Sequence, residues 1–265
     1  MRLTFLGTGT SHGVPAIDCM MNNYEHCPQY VCRAADTDPR HARTRCSVLI
    51  ENDGKFILID TSLDFRHQML VNKVRQIDAV LYTHAHSDHI GGLPDIRSYT
   101  RHKALPVYGS ESTILSLIQR FDYIFNPPQI TGGGIPELET HILYNAQKFS
   151  MFDVDIVPAE ITHGSLTGCF GYRIGNIGYI PDMKSMSDHS MSVFSGLDVL
   201  ILNSLRRAPR HDTHLTLDES VELAGKLKPR RCYLTHMSHD IHYLNDQAGL
   251  PQNITFAYDG LIIDV

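Results

Sequence analysis

Ala79-Val80-Leu81-Tyr82-Thr83-His84-Ala85-His86-Ser87-Asp88-His89 is the stretch from which the rest of this chain is best read. The apolar run 79–82 predicts a short buried strand, and four strong metal-ligand side chains follow within the six residues 84–89. In extended chain His84 and His86, two residues apart, point to the same side. Asp88 and His89 fall where the chain turns towards a helix, and so face a second point in space. One extended pair and one turned pair suit two adjacent metal ions better than one. Imidazole and carboxylate donors suit zinc, manganese or iron rather than a metal that prefers soft thiolates. The bland alternative is a solvated, histidine-rich loop, but such a loop rarely closes a buried strand with the spacing H-x-H-x-D-H. A single ion held by His84, His86 and a distant ligand leaves Asp88 and His89 unused.

The 265 residues, 42% of them hydrophobic, are enough for a substantial core, and α/β folds of this length are often one domain. A net charge of −6 with no basic block argues against a large nucleic-acid surface and against an anionic membrane partner. No apolar run approaches the roughly 18–20 residues that cross a bilayer. Residues 1–7 read as a strand entering a glycine turn rather than as a signal peptide, so cytoplasmic residence is the expectation. Six cysteines without an export signal predict metal ligands or core thiols rather than a disulfide framework.

From the N-terminus, Leu3–Leu6 predicts a strand and Gly7–Gly13 a tight turn whose backbone lies close to the active site, with His12 as a substrate contact. No Gly-Lys-Ser/Thr follows, so the turn is not a phosphate-binding P-loop. Cys19, Cys27 and Cys32 stand in a polar loop running to about Arg45. They fit part of a structural zinc site, which wants four ligands, or free thiols, since their spacing is looser than a C-x2-C knuckle. Residues 46–51 and 55–60 predict a hairpin about Asp53-Gly54. Asp60, at its end, either orients a metal-binding histidine or is an ordinary turn aspartate.

A helix is expected over 63–73, and Gly91-Gly92 let the backbone pass close to the metals. Residues 95–103 carry no assignment. A strand over 106–109, a helix over 111–121 and a Pro/Gly-rich loop over 126–136 follow. Further strands are expected over 152–157, leading to His163; over 169–174 and 177–180, a hairpin ending at Asp182; over 197–202; and over 232–235, delivering His236. Thr216-Leu217-Asp218-Glu219 is a capping box opening a helix to about Leu227. Strands over 254–258 and 261–265, about an Asp259-Gly260 turn, close the chain.

The H-x-H-x-D-H spacing, continued by His163, Asp182 and His236 at strand ends, resembles the metallo-β-lactamase superfamily over nearly the whole chain. The resemblance implies an α/β fold, an αββα sandwich of two mixed sheets packed face to face with helices outside. It implies a single domain over 1–265 with a zinc-binding loop at about 17–45. One metal would be held by His84, His86 and His163 and the other by Asp88, His89 and His236, with Asp182 bridging. Two such cations (zinc or manganese, or else iron) make water nucleophilic near neutral pH and neutralise anionic substrate oxygens.

Within the superfamily the chain resembles the PhnP-like cyclic phosphodiesterases. The likeness shows in Gly7-Thr8-Gly9, Gly13-Val14-Pro15-Ala16, Leu234-Thr235-His236-Met237-Ser238-His239 and Tyr258-Asp259-Gly260. That family carries a structural zinc, and the resemblance implies Cys19, Cys27, Cys32 and His239 as its ligands. This chain departs from the family in an insertion between Cys19 and Cys27, which leaves His26 as a possible substitute for one thiol. The resemblance also implies His214 as a catalytic residue that protonates the leaving alkoxide or hydrogen-bonds the transferring phosphoryl group. His211 is expected at the substrate, Asp88 is expected to share in catalysis, and Arg206 and Arg207 are either phosphate contacts or a solvated surface loop.

The expected function is a dinuclear metal-dependent phosphodiesterase acting on a small cyclic or nucleotide-like phosphodiester through attack of a metal-bridging hydroxide. A small substrate and a homodimer are the expected partners, with no membrane and no nucleic acid. The alternatives are a tRNA 3′-processing endonuclease, a thioester or lactone hydrolase, a non-hydrolytic diiron protein or a zinc-stabilised binding module. An endonuclease needs an RNA-gripping arm that the sequence does not supply. The diiron branch usually has Glu where this chain has His86.

Overall fold

Several strands of this chain are apolar on both faces, and a computed structural model, which describes residues 1–127, 129 and 134–265, shows why. In Ser47–Asn52, Val48 and Ile50 face one core while Leu49 faces another; in Lys55–Ile59, Ile57 and Ile59 part from Leu58 in the same way. Val199–Asn203 divides Val199 and Ile201 from Leu200 and Leu202. A strand with no solvent face reads as a continuous apolar run rather than an alternation.

Two mixed sheets result. The first runs Ile262–Asp264, Arg2–Gly7, Ser47–Asn52, Lys55–Ile59, Ala79–Leu81, Leu105–Gly109, Leu138–Ile142. The second runs Ser185–Met186, Val154–Thr162, Phe170–Ile174, Ile177–Ile180, Val199–Asn203, Arg231–Thr235, Ile254–Phe256, with Phe149–Met151 paired to Val154–Thr162. Each begins with antiparallel pairs and ends with parallel ones. Their inner faces share one core, from Leu3, Phe5 and Ile59 on one side to Ile156, Tyr172 and Ile201 on the other. Phe65, Ile90 and Leu117 cover the outside of the first sheet, and Phe194, Leu217 and Ala224 the outside of the second. Helices on both outsides and two sheets between them make the expected α/β sandwich.

This topology gathers the functional residues. Lys55–Ile59 and Ala79–Leu81 are parallel, so Asp60 and the His84 segment leave the first sheet at the same edge. Ile177–Ile180, Val199–Asn203 and Arg231–Thr235 are parallel too. Val154–Thr162 is two antiparallel steps from Ile177–Ile180, so it shares that direction. His163, Asp182 and His236 therefore leave the second sheet at one edge.

Local chemistry sets several boundaries. Asp53 and Gly54 take positive φ (47° and 74°), as a tight hairpin turn needs. The capping box at Thr216 and Glu219 is present, and its helix spans Leu217–Leu227. The strand expected over 152–157 starts at Val154 instead. Phe152 and Asp153 have φ of 50° and 61° and form the turn from Phe149–Met151. Residues 95–103 begin in a 3-10 helix, Leu93–Tyr99.

Leu138–Ile142 is a further strand, largely exposed, whose polar composition hid it. The glycines after His89 serve a different close approach from the one expected. A Cβ on Gly92 would lie 2.2 Å from the Ser62 carbonyl oxygen, so the pair seats the short helix Ser87–Ile90 on the segment following Asp60. Of the loop expected over 126–136, residues 128 and 130–133 lie outside the described residues.

Candidate metal centre

Asp182 is the hub. It follows Ile177–Ile180 after Pro181, is buried, and turns both carboxylate oxygens to imidazoles. Oδ2 lies 2.9 Å from His89 Nε2 and 3.4 Å from His84 Nε2. Oδ1 lies 2.8 Å from His236 Nδ1 and 3.3 Å from His214 Nε2. Around it the donor atoms of His84, His86 and His163 lie within 4.8 Å of one another, as do those of Asp88, His89, Asp182 and His236. The seven residues named from the sequence thus come together in two groups that adjoin at Asp182.

Hydrogen bonds behind the ligands decide which nitrogen faces the centre. The Thr83 hydroxyl donates to Asp60 Oδ2 at 2.8 Å, so the 3.0 Å contact with His84 Nδ1 must be donated by that nitrogen. His89 Nδ1 donates to Asp60 Oδ2 at 2.7 Å, and His163 Nδ1 donates to the Thr213 carbonyl at 2.9 Å. A neutral imidazole carries one proton. In the neutral rings that a metal would bind, the Nε2 atoms of His84, His89 and His163 are therefore lone pairs aimed inward. His84 Nε2 and His86 Nδ1 lie 3.0 Å apart, and His163 Nε2 lies 3.3 Å from the same atom.

The same picture holds electrostatically. Burial, together with neighbouring imidazoles, pushes His84 well below the ordinary histidine range, and burial also lowers His86, His163 and His236. Burial works to raise the Asp182 carboxyl, but His236 and His89 outweigh it and hold the group well below the usual carboxylate range. Asp88 is lowered too, burial being overcome by His89. Burial disfavours a charge on His89, yet Asp88, Asp60 and Asp182 together raise it well above the ordinary value.

Three buried carboxylates around one imidazole call for a positive charge. The buried atoms His89 Nε2, Asp182 Oδ1 and His236 Nδ1 have no hydrogen-bond partner, which is costly unless a cation joins them. The donor set fits divalent metals, and the hydrogen-bonded tautomers are those that ligation requires.

A second cluster joins Cys19, Cys27, Cys32 and His239, again with all donor atoms within 4.8 Å. Cys19 Sγ is 3.0 Å and Cys32 Sγ 3.7 Å from His239 Nδ1. Backbone amides of Ala16 and Cys32 donate to the sulfurs of Cys32 and Cys27, each at 3.3 Å. All six cysteines are free thiols. Three sulfurs and an imidazole form a four-donor set that suits zinc. His26 is exposed and stands outside this group. The short helix Ile17–Met21 takes up part of the stretch between Cys19 and Cys27.

A cleft of about 350 Å³ opens on the centre, with Ser11, His86, Asp88, His163, Thr213 and His214 among its walls. The Gly7–Gly13 turn does reach the site, but through Ser11. His12 lines a neighbouring cavity with Thr10, Asp18 and His239. His211 does not line the cleft and is turned to Thr213 and His214. The Arg206 guanidinium donates to the carbonyls of Pro209 and Arg210, and Arg207 pairs with Asp246 at 3.2 Å, so both are engaged away from the metal ligands. Thr83 and Thr213 had no sequence signal beyond their adjacency to histidines.

Comparison with known proteins agrees with this geometry. The profile of the beta-lactamase superfamily domain matches residues 55–237. A protein of Porphyromonas gingivalis (strain ATCC BAA-308 / W83) named octanoyltransferase is 36% identical over 268 residues, covering 100% of this chain and 52% of its own length. The chain thus spans about half of that relative. The crystal structure of a diphosphatase from the PhnP family superimposes with a TM-score of 0.88 at 39% identity, covering 100% of this chain and 97% of the other. Zinc-bound PqqB from Methylobacterium extorquens shares the fold, with a TM-score of 0.80 at 18% identity and 100% coverage of both chains. No helix among the described residues is long and apolar enough to cross a membrane. From the two donor groups about Asp182, the paired mixed sheets and these likenesses together, the chain belongs to the beta-lactamase superfamily and, within it, to the PhnP family.

Proposed function

We propose that the protein is a dinuclear metal-dependent hydrolase of small cyclic or nucleotide-like phosphodiesters. The observation that carries this reading is the arrangement about Asp182: inward lone pairs on His84, His89 and His163, and orphaned buried atoms on His89, Asp182 and His236. His84, His86 and His163 would hold one metal and Asp88, His89 and His236 the other, with Asp182 between them. Such a pair supplies a nucleophile from water at neutral pH and neutralises anionic oxygens. His214, with Nε2 3.3 Å from Asp182 Oδ1, borders the cleft and would give a proton to the departing alkoxide. Cys19, Cys27, Cys32 and His239 would bind a structural zinc.

The test is a panel of cyclic nucleotides, ribose cyclic phosphate, aryl phosphodiesters, a nucleoside diphosphate ester and an octanoyl thioester, assayed with zinc- or manganese-loaded protein. Turnover of a phosphodiester, lost roughly 100-fold or more in His214→Ala with metal content unchanged, supports the reading. Turnover of the thioester alone, or of pre-tRNA assayed alongside in preference to the small substrates, refutes it.

A further inference from the structure

The segment His211-Asp212-Thr213-His214 holds a hydrogen-bonded triangle in which one backbone donor fixes the role of His211. Thr213 N–H lies 3.3 Å from His211 Nδ1, and a backbone amide can only donate, so that ring nitrogen is an acceptor. The Thr213 hydroxyl is 3.1 Å from the same nitrogen and can share it as a second donor. The hydroxyl oxygen also lies 2.8 Å from His214 Nδ1, and with its hydrogen turned to His211 it accepts from that nitrogen. His214 Nδ1 also lies 3.2 Å from the acceptor nitrogen of His211. With the hydroxyl hydrogen turned to His211, the proton of His214 sits on Nδ1. Its Nε2, turned to Asp182 and the cleft, is then the atom through which a proton is exchanged.

Thr213 is tied to the metal centre as well. Its carbonyl accepts from His163 Nδ1 at 2.9 Å, and a Cβ on Gly164 would meet its methyl group at 2.8 Å. The residue is thereby held against the loop that carries His163, while its hydroxyl orients His214.

We infer that Thr213 and His211 are positioning residues: the relay His214 Nδ1–H to Thr213 Oγ1–H to His211 Nδ1 holds the His214 ring so that Nε2 faces the leaving group. This rests on the proposed hydrolytic role of His214, and it assigns His211 to the relay rather than to the substrate.

The test uses Thr213→Val, which removes the hydroxyl but keeps the shape and the carbonyl, and His211→Leu. Thr213→Ser and His211→Asn are the conservative partners, since an Asn carbonyl oxygen can stand where His Nδ1 stands. The two disruptive variants are expected to lose about tenfold or more in kcat on an alkyl phosphodiester, whose leaving group needs a proton, with KM and bound metal unchanged. On a p-nitrophenyl ester, whose leaving group departs without one, the loss should stay within about threefold. Thr213→Ser and His211→Asn should recover most of the alkyl-ester activity. Equal losses on both esters, or no rescue by Ser and Asn, would overturn the relay. Full activity in Thr213→Val and His211→Leu beside an inactive His214→Ala would also overturn it while leaving His214 in place; an active His214→Ala removes the reading beneath it.

Discussion

Replacing Asp60 by asparagine tests the metal centre through a residue that touches no metal. Asp60 is fully buried, and its oxygens accept from Thr83 N at 2.8 Å, the Thr83 hydroxyl at 2.8 Å and His89 Nδ1 at 2.7 Å. Its φ of 65° is one that asparagine tolerates as well as aspartate does, so Asp60→Asn adds no backbone strain. An asparagine has one acceptor oxygen and one donor group. With the oxygen kept on Thr83 N, the amide NH2 faces the Thr83 hydroxyl and His89 Nδ1. His89 must then move its proton to Nε2, which lies 2.9 Å from Asp182 and 3.4 Å from Asp88 and is the lone pair a metal would use.

Loss of such an outer partner typically costs ~10–100-fold in metal affinity, or ~1.4–2.8 kcal/mol. The loss should be larger for the ion held by Asp88, His89 and His236, and smaller for the ion at His84, His86 and His163, where the Thr83 hydroxyl, no longer turned to Asp60, stops fixing the His84 tautomer. Competition against a chromophoric chelator, with metal content measured after dialysis, reads the two affinities. Wild-type affinity for both equivalents in Asp60→Asn would refute the claim that outer-shell hydrogen bonds set the tautomers here.

Two further outcomes are expected. Cys32→Ser removes a thiol from the second cluster and should lose one zinc equivalent, read by a colorimetric zinc assay, while both active-site equivalents remain; loss of all three together would contradict the independence of the two clusters. His41 is buried, and burial, with the nearby His242 and Arg43 charges, pushes it down to about 4 from the ordinary 6.5. The unfolded chain therefore binds a proton at this site at higher pH than the folded one. The neutral ring's contribution is intact above pH 6.5 and is lost as pH falls towards 4. Melting temperature against pH for His41→Gln should accordingly fall less steeply than wild type over that window, and parallel curves would exclude His41 from the acid response.

Much of the candidate metal centre was legible in the sequence because ligation would be a demand on residue type at strand ends. The runs before His84, Asp182 and His236 are apolar on both faces, so strand and ligand could be read from one short window. The hairpin at Asp53-Gly54 and the capping box at Thr216 were equally local. Leu138–Ile142 escaped because it is largely exposed and its side chains are mostly polar. Phe152 was misread because a turn residue there looks like the first residue of an alternating strand.

By itself the sequence determined the candidate ligand types, the strands that carry them and, through its motifs, the resemblance to a superfamily. What only the tertiary structure decided is how those groups are held and protonated. Asp60 reaches His89 across 29 residues and Thr213 reaches His163 across 50, and neither pairing has a spacing that a linear pattern encodes. The same holds for the choice of Ser11 over His12 at the cleft, the seating of His239 among the cysteines and the exclusion of His26. The physical reason is range: a ligand's identity is fixed by its own side chain, whereas its tautomer and aim depend on partners that folding alone brings within hydrogen-bonding distance.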